Sequence, residues 1–192
     1  MGRIACTRRI QGCYTATVYA CALLKKQTCP RFVRWLNDPE VRENLLLFAP
    51  MSLDEEEEWY SGILKRPKEE RPLVIEIELG GEWLPIGNIG LFKIEWHARS
   101  AEVGLFIGEK QHWNRGFGSE ALRVMVGYAF DFLNLNKVYL HVYETNPRGI
   151  RAYQKVGFVE EGRLRQDVYK NGRYIDVLVM SILRSEWYSR AE

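Results

Sequence analysis

The residues best suited to chemistry lie in two short stretches. Trp113-Asn-Arg-Gly-Phe-Gly-Ser-Glu-Ala121 sets glycines at 116 and 118 directly ahead of a long helical pattern. Glycines there permit a tight turn and leave successive backbone N–H groups aimed outward at a helix N-terminus, which is an anion site. The stretch lacks the Lys-Ser/Thr ending of a nucleoside-triphosphate loop and the spacing of a dinucleotide fingerprint, so neither class fits. The glycine pair alone is equally consistent with helix-packing punctuation. The second stretch, Asn146-Pro-Arg-Gly-Ile-Arg-Ala-Tyr153-Gln-Lys-Val-Gly157-Phe158, starts 28 residues after Gly118. It sets Asn146 at a strand-to-helix junction and Tyr153 on the helix, so both could face a ligand held by the first loop. Separately, Asn146 reads as a helix cap and Tyr153 as a core aromatic with a wet hydroxyl.

Regular elements must position these stretches. Phe32, Val33, Leu36, Val41 and Leu45, broken by Asn37-Asp38-Pro39, predict two short helices. Ser52 followed by Glu55 is a capping box opening a helix through Leu64. The acid run Asp54 to Glu58 reads as a solvated start matched to the helix dipole, rather than a polyamine-binding surface. Pro72 to Leu79, Ile86 to Ile94, Ala101 to Ile107 and Lys137 to Tyr143 predict strands. Leu122, Met125, Ala129 and Phe132 predict one face of the long helix after Gly118. Pro147 to Val156 predicts a helix with Asn146 as cap and Gly157 as stop. Asn171-Gly172 predicts a hairpin between two β-rich runs. The fold class expected is one α+β domain.

Length and composition agree: 192 residues with 46% apolar content are one domain's worth, with a core that needs no staple. The net charge of +2 argues against nonspecific nucleic-acid binding by phosphate neutralisation. Residues 1–37 hold seven basic side chains and no acid, so residues 38–192 carry 20 basic against 25 acidic groups, a net of −5. Cys6, Cys13, Cys21 and Cys29 all lie in this basic leader, without the close spacing of metal ligands and without histidine partners. Free thiols in a reducing cytoplasm are expected. Residues 12–24 are too short and interrupted to span a membrane, and Tyr14 to Val18 suits a strand better than an export signal.

Glu102-Val-Gly-Leu-Phe-Ile-Gly, then the Trp113 to Leu122 loop, then Asn146 through Phe158 resemble the GNAT superfamily of acetyl-CoA-dependent N-acetyltransferases. The nearer likeness is to the branch with ribosomal-protein N-terminal and spermidine N-acetyltransferases, and Phe158 to Arg165 with Asn171 to Asp176 look like its closing hairpin. The resemblance implies a GNAT-like mixed, mostly antiparallel central sheet flanked by helices, with a splayed central strand pair. It divides the chain into a leader (1–13), one acetyltransferase domain (14–187) and a tail (188–192).

Acetyl-CoA is implied as co-substrate, with no metal. Asn114, Arg115, Gly116, Phe117, Gly118 and Ser119 are expected to bind its pyrophosphate through backbone amides, with Ile107 and Asn146 also on the coenzyme side. The family loop begins with Gln or Arg where this chain has Trp113. Tyr153 is implied as general acid and a backbone N–H near Ile107 as oxyanion donor. Glu102 is the candidate for taking the amine proton, through water, with a structural carboxylate or an anchor for the substrate ammonium as the equal alternative. His141 is weighed between the acceptor slot and a packed site, and Arg151 and Lys155 between the nucleotide phosphate and a solvated face. The acceptor expected is a small polyamine-like amine or a protein N-terminus, with no nucleic acid, no membrane and room for a homodimer. The competing function is a noncatalytic acyl-CoA-binding or regulatory module on the same fold.

Overall fold

The computed structural model describes residues 18–189. The expected leader, and the strand expected from Tyr14 to Thr17, lie outside them. Seven strands form one sheet in the order β1-β2-β3-β4-β5-β7-β6: β1 (Val18–Leu23), β2 (Leu73–Leu79), β3 (Glu82–Glu95), β4 (Ser100–Ile107), β5 (Lys137–Tyr143), β6 (Val159–Lys170) and β7 (Arg173–Leu183). All neighbours pair antiparallel except β4 and β5. The helices are α1 (Cys29–Leu36), α2 (Pro39–Arg42), α3 (Leu53–Ile63), α4 (Phe117–Asp131), α5 (Pro147–Val156) and α6 (Arg184–Ser189). The last of these runs beyond residue 187, into the segment expected as a tail. Among the described residues, no helix is long and apolar enough to cross a membrane.

Side-chain alternation along β4 divides the interior in two. Ala101, Val103, Leu105 and Ile107 face the larger core with α4 and α5, where Ala121, Leu122, Met125 and Phe130 are buried. Phe106 points the other way and packs edge-on to Phe32 and Trp35 of α1. Trp35 in turn lies on the backbone of Gly108: a Cβ there would come within 2.1 Å of the indole, so only glycine fits. The Asn171-Gly172 turn joins β6 to β7 with both residues at positive φ, as the twist of a two-residue hairpin requires.

Two sequence expectations need correction. Phe132 is 75% exposed and Phe130 takes the core position, because the inward stripe is centred on Ala121, Leu122, Met125, Val126 and Ala129, which includes Phe130 and leaves Phe132 past its edge. The acidic run is not wholly solvated either. Ser52 and Glu55 form the expected capping box, but Glu56 shares the inward stripe with Ile63, seven residues on, and is 2% exposed. Its Oε1 has no hydrogen-bond partner, and burial pushes the carboxyl up to about 7.

A buried acid with a raised pKa favours its protonated form in the folded chain. Its full stability is present below the unfolded value near 4.5 and is lost as pH rises through 7. Glu56→Gln should therefore be more stable than the parent at pH 8, by up to roughly 3 kcal/mol. Thermal melts should show the gap closing as pH falls from 7 towards 4.5, and a gap independent of pH would overturn this account.

Candidate active site

β4 and β5 pair in parallel only at Ser100–Lys137, Ala101–Val138 and Glu102–Tyr139. Beyond that the strands part. On its other side β4 stays paired with β3, and the bond from Gly108 N–H to Ile86 O (2.7 Å) brackets the Gly87–Ile107 pair. That pair is therefore of the non-hydrogen-bonded kind, and the backbone of Ile107 turns away from β3 into the splay. Regular register down to Phe92–Glu102 gives Leu105 the same orientation.

The first turn of α4 closes over this end of β4. A Cβ on Gly118 would lie 3.5 Å from Leu105 Cδ1 and 3.9 Å from Ile107 Cγ1. The helix has no side-chain cap, and its first intrahelical bond runs from Glu120 N–H to Gly116 O (3.0 Å). The N–H groups of Phe117, Gly118 and Ser119 are thus left over at the positive end of the helix dipole. Positive φ at Asn114 (59°) and Gly116 (88°) curls the preceding loop into the concave form that suits an anion. Asn114, Gly116, Phe117, Gly118 and Ser119 all border one cavity of about 690 Å³, within the usual range of ligand clefts. The ring of Phe117 is buried in the core, so its part in the loop falls to its backbone. Arg115 turns aside: its guanidinium donates to His112 Nδ1 (3.2 Å) and lies over Phe117. Because a guanidinium only donates, His112 carries its proton on Nε2, and burial, then Arg115, pushes its pKa down.

Trp113 is anchored, not merely tolerated. Its indole N–H donates to Ile107 O (2.7 Å), and the Arg148 guanidinium stacks over its ring at 3.7 Å. The side chain thereby ties the loop to the end of β4 and to α5, a role sequence reasoning missed.

α5 forms another wall, and Tyr153 lies on it beside Asn146, Arg151 and Lys155. Burial pushes the Tyr153 phenol up to about 12, so it keeps its proton throughout the neutral range. Asn146 does cap α5, accepting from Gly149 N–H (2.8 Å), and it also lines the cavity. Glu102 does not line it. It sits where the splay begins, bound by Lys93 Nζ (2.8 Å) and His141 Nδ1 (2.8 Å). Burial alone would raise its carboxyl, but the bonds from Lys93 and His141 outweigh burial and hold it below the ordinary range. The same contact places His141 on Glu102 rather than in the cavity.

A family model described as an acetyltransferase (GNAT) domain matches residues 23–159. The chain belongs to this family. It is 38% identical over 141 residues to spermidine N(1)-acetyltransferase of Vibrio cholerae, covering 73% of this chain and 79% of that one. The solved structure of spermidine N-acetyltransferase from V. cholerae in complex with CoA and spermine superposes with a TM-score of 0.79 at 32% identity, covering 90% of this chain and 98% of that one. A dodecameric structure of the V. cholerae enzyme gives 0.73 at 34% identity, covering 92% and 98%. The chain is thus a GNAT-fold, acetyl-CoA-dependent N-acetyltransferase.

The open amides of the α4 turn, beside strand groups facing the splay, fit a ligand that is anionic at one end and amide-bearing along its length. Gly118→Val should set a branched side chain against Leu105 and Ile107, where the α4 turn meets β4 on the cavity wall, and push the amides of that turn out of place. Coenzyme affinity, measured by calorimetry, should fall about tenfold or more with thermal stability retained; unaltered affinity would sink the cradle.

Proposed function

We propose that the chain acetylates a polyamine-like primary amine, with the coenzyme on the backbone of Asn114 to Ser119 and along Leu105 and Ile107, and with Tyr153 acting on the departing sulfur. The observation that carries this reading is the cavity bounded by the free end of β4 (Leu105 to Ile107), the uncapped α4 turn and the α5 wall bearing Tyr153. The bound thioester supplies an activated acetyl group. The chain's own contributions are three. The amides of Phe117, Gly118 and Ser119 offer hydrogen bonds and dipole charge to phosphate oxygens, with Arg151 and Lys155 at the same wall as candidates for the nucleotide phosphate. The Ile107 N–H, turned into the splay, is placed to donate to an oxygen as negative charge develops. The Tyr153 phenol donates to sulfur. Full transfer from a phenol of pKa about 12 to a thiolate whose thiol has a pKa of roughly 8.5 runs uphill. A hydrogen bond that strengthens as charge builds on sulfur is therefore the role its environment favours: the nitrogen–acyl bond forms as the carbon–sulfur bond breaks, the amine's proton passes to solvent, and the sulfur leaves as thiolate held by that bond.

Glu102 is better suited to structure than to proton abstraction. A carboxylate held ionised by two partners is a weak base, and its ion pairs brace the point where β4 and β5 separate. The acceptor reading is supported by the spermidine acetyltransferase relative and by the −5 balance of residues 38–192. A protein N-terminus is the acceptor to test against it. The dodecameric relative supports an assembly of several copies, of which the homodimer left open by the sequence is the smallest form. A cytoplasmic setting agrees with the buried free thiol of Cys29.

Free thiol release should be followed with spermidine, aminosugars, amino acids and N-terminal peptides. Fastest turnover on spermidine is expected; coenzyme binding without turnover on any amine would favour a noncatalytic module. Tyr153→Phe should lower kcat by roughly 10²-fold or more with coenzyme affinity nearly unchanged, and an undiminished rate at neutral pH removes Tyr153 from the step. Glu102→Gln should alter kcat by less than about threefold while lowering thermal stability, whereas a loss of roughly 10²-fold would restore it as the base.

A further inference from the structure

Residues 38–52, between α1 and α3, carry Val41, Asn44 and Leu45, which line the cavity together with the α4 turn and α5. The neck of this segment is closed by one side chain. Asn37 Nδ2 donates to Met51 O (2.8 Å), and Asn37 Oδ1 accepts from Met51 N–H (2.8 Å). Its middle is held by a residue from the far end of the chain. Lys170, the last residue of β6, is 7% exposed, and its Nζ donates to Arg42 O (2.8 Å) and Leu45 O (2.6 Å). The ammonium also lies 5.5 Å from the Tyr143 ring centroid and 5.7 Å from that of Phe48. Beside it, Asn171 Nδ2 donates to the Glu43 carboxylate at 3.1 and 3.3 Å.

A lysine is among the costliest side chains to bury, and it stays charged only when its protons are satisfied. Here the partners are two backbone carbonyls and two ring faces, all suited to a cation. One carbonyl closes α2, and the other lies three residues further along the irregular chain. The arrangement therefore spends a buried charge on fixing the backbone that bears Val41, Asn44 and Leu45.

We propose that Lys170 is a positioning residue for the acceptor amine: by clamping Arg42 O and Leu45 O it fixes Val41, Asn44 and Leu45 as the acceptor-side wall of the cavity. This rests on the reading that phosphates are held at the α4 turn, which leaves the wall of Val41, Asn44 and Leu45 to the acceptor.

Lys170→Met keeps the length and apolar stem while removing the charge, and Lys170→Arg restores a buried cation. Hydrogen exchange in residues 42–46 should accelerate about tenfold in the Met variant and recover in part with Arg, with α4 and β4 unaffected. The KM for spermidine, or for an N-terminal peptide if that is the better acceptor, should rise about tenfold, while the coenzyme KM moves less than about twofold. Unchanged exchange in 42–46 would overturn the proposal. So would an unchanged acceptor KM, or acceptor and coenzyme KM rising together. If the parent protein turns over no amine, the acceptor reading above fails, and exchange in 42–46 still decides whether Lys170 holds the wall.

Discussion

Parallel pairing between β4 and β5 ends after three residue pairs, and the length of β4 beyond that point, Leu105 to Ile107, is the part that borders the cavity. Each of the two strands has a full antiparallel partner on its other side, β3 for β4 and β7 for β5. Parallel pairing is the weaker kind per residue, so each strand follows its antiparallel neighbour and the halves of the sheet diverge. The Glu102 carboxylate, joined to Lys93 on β3 and His141 on β5, ties both halves together where divergence starts. Lys93 reaches it from an irregular stretch of β3 with a positive φ of 50°. The opening thus has a braced vertex rather than a frayed one.

Parting the strands leaves backbone groups without sheet partners, and the rest of the site is arranged around them. Ile107 O is satisfied by the Trp113 indole, which makes the loop before α4 a continuation of the end of β4. Arg148 stacked on that indole extends the connection to α5. The groups left open by contrast, the first-turn amides of α4 and the splay-facing N–H of Ile107, converge on one volume. Rigid donors around a cleft lose little entropy when a ligand arrives, and here their rigidity comes from contacts outside the cleft.

What the sequence made legible was local. The Ser52 box, the Asn146 cap with Pro147 and Gly157, and the Asn171-Gly172 turn each follow from a few adjacent residues, and the structure contains all of them. The glycine loop before α4 was readable for the same reason, since its backbone conformation is set by residues next to one another. Features that depend on distant partners were not readable. Glu56 sits in an acidic run that looks solvated, and although Ile63 on the same helix shares its stripe, only tertiary packing shows that this stripe is buried. The charge state of Glu102 depends on Lys93 and His141, contributed by two other strands. The Trp113 anchor needed the path of β4, and Lys170 meets carbonyls 125 and 128 residues away.

The same distinction separates the two sides of the cavity. On the α4 side the contacts available are backbone amides, whose positions survive most side-chain changes provided the glycine conformations are kept. A local motif can therefore report that side. The Val41, Asn44 and Leu45 wall is made of side chains on an irregular segment, fixed by Asn37 at its neck and by Lys170 from β6. Replacing any of these reshapes that wall while the α4-turn amides keep their glycine-set conformation, although Val41 and Leu45 share a packed cluster with Trp113. Acceptor preference can then diverge among relatives while coenzyme binding is kept, so a sequence that announces its acyl donor plainly need not name its amine.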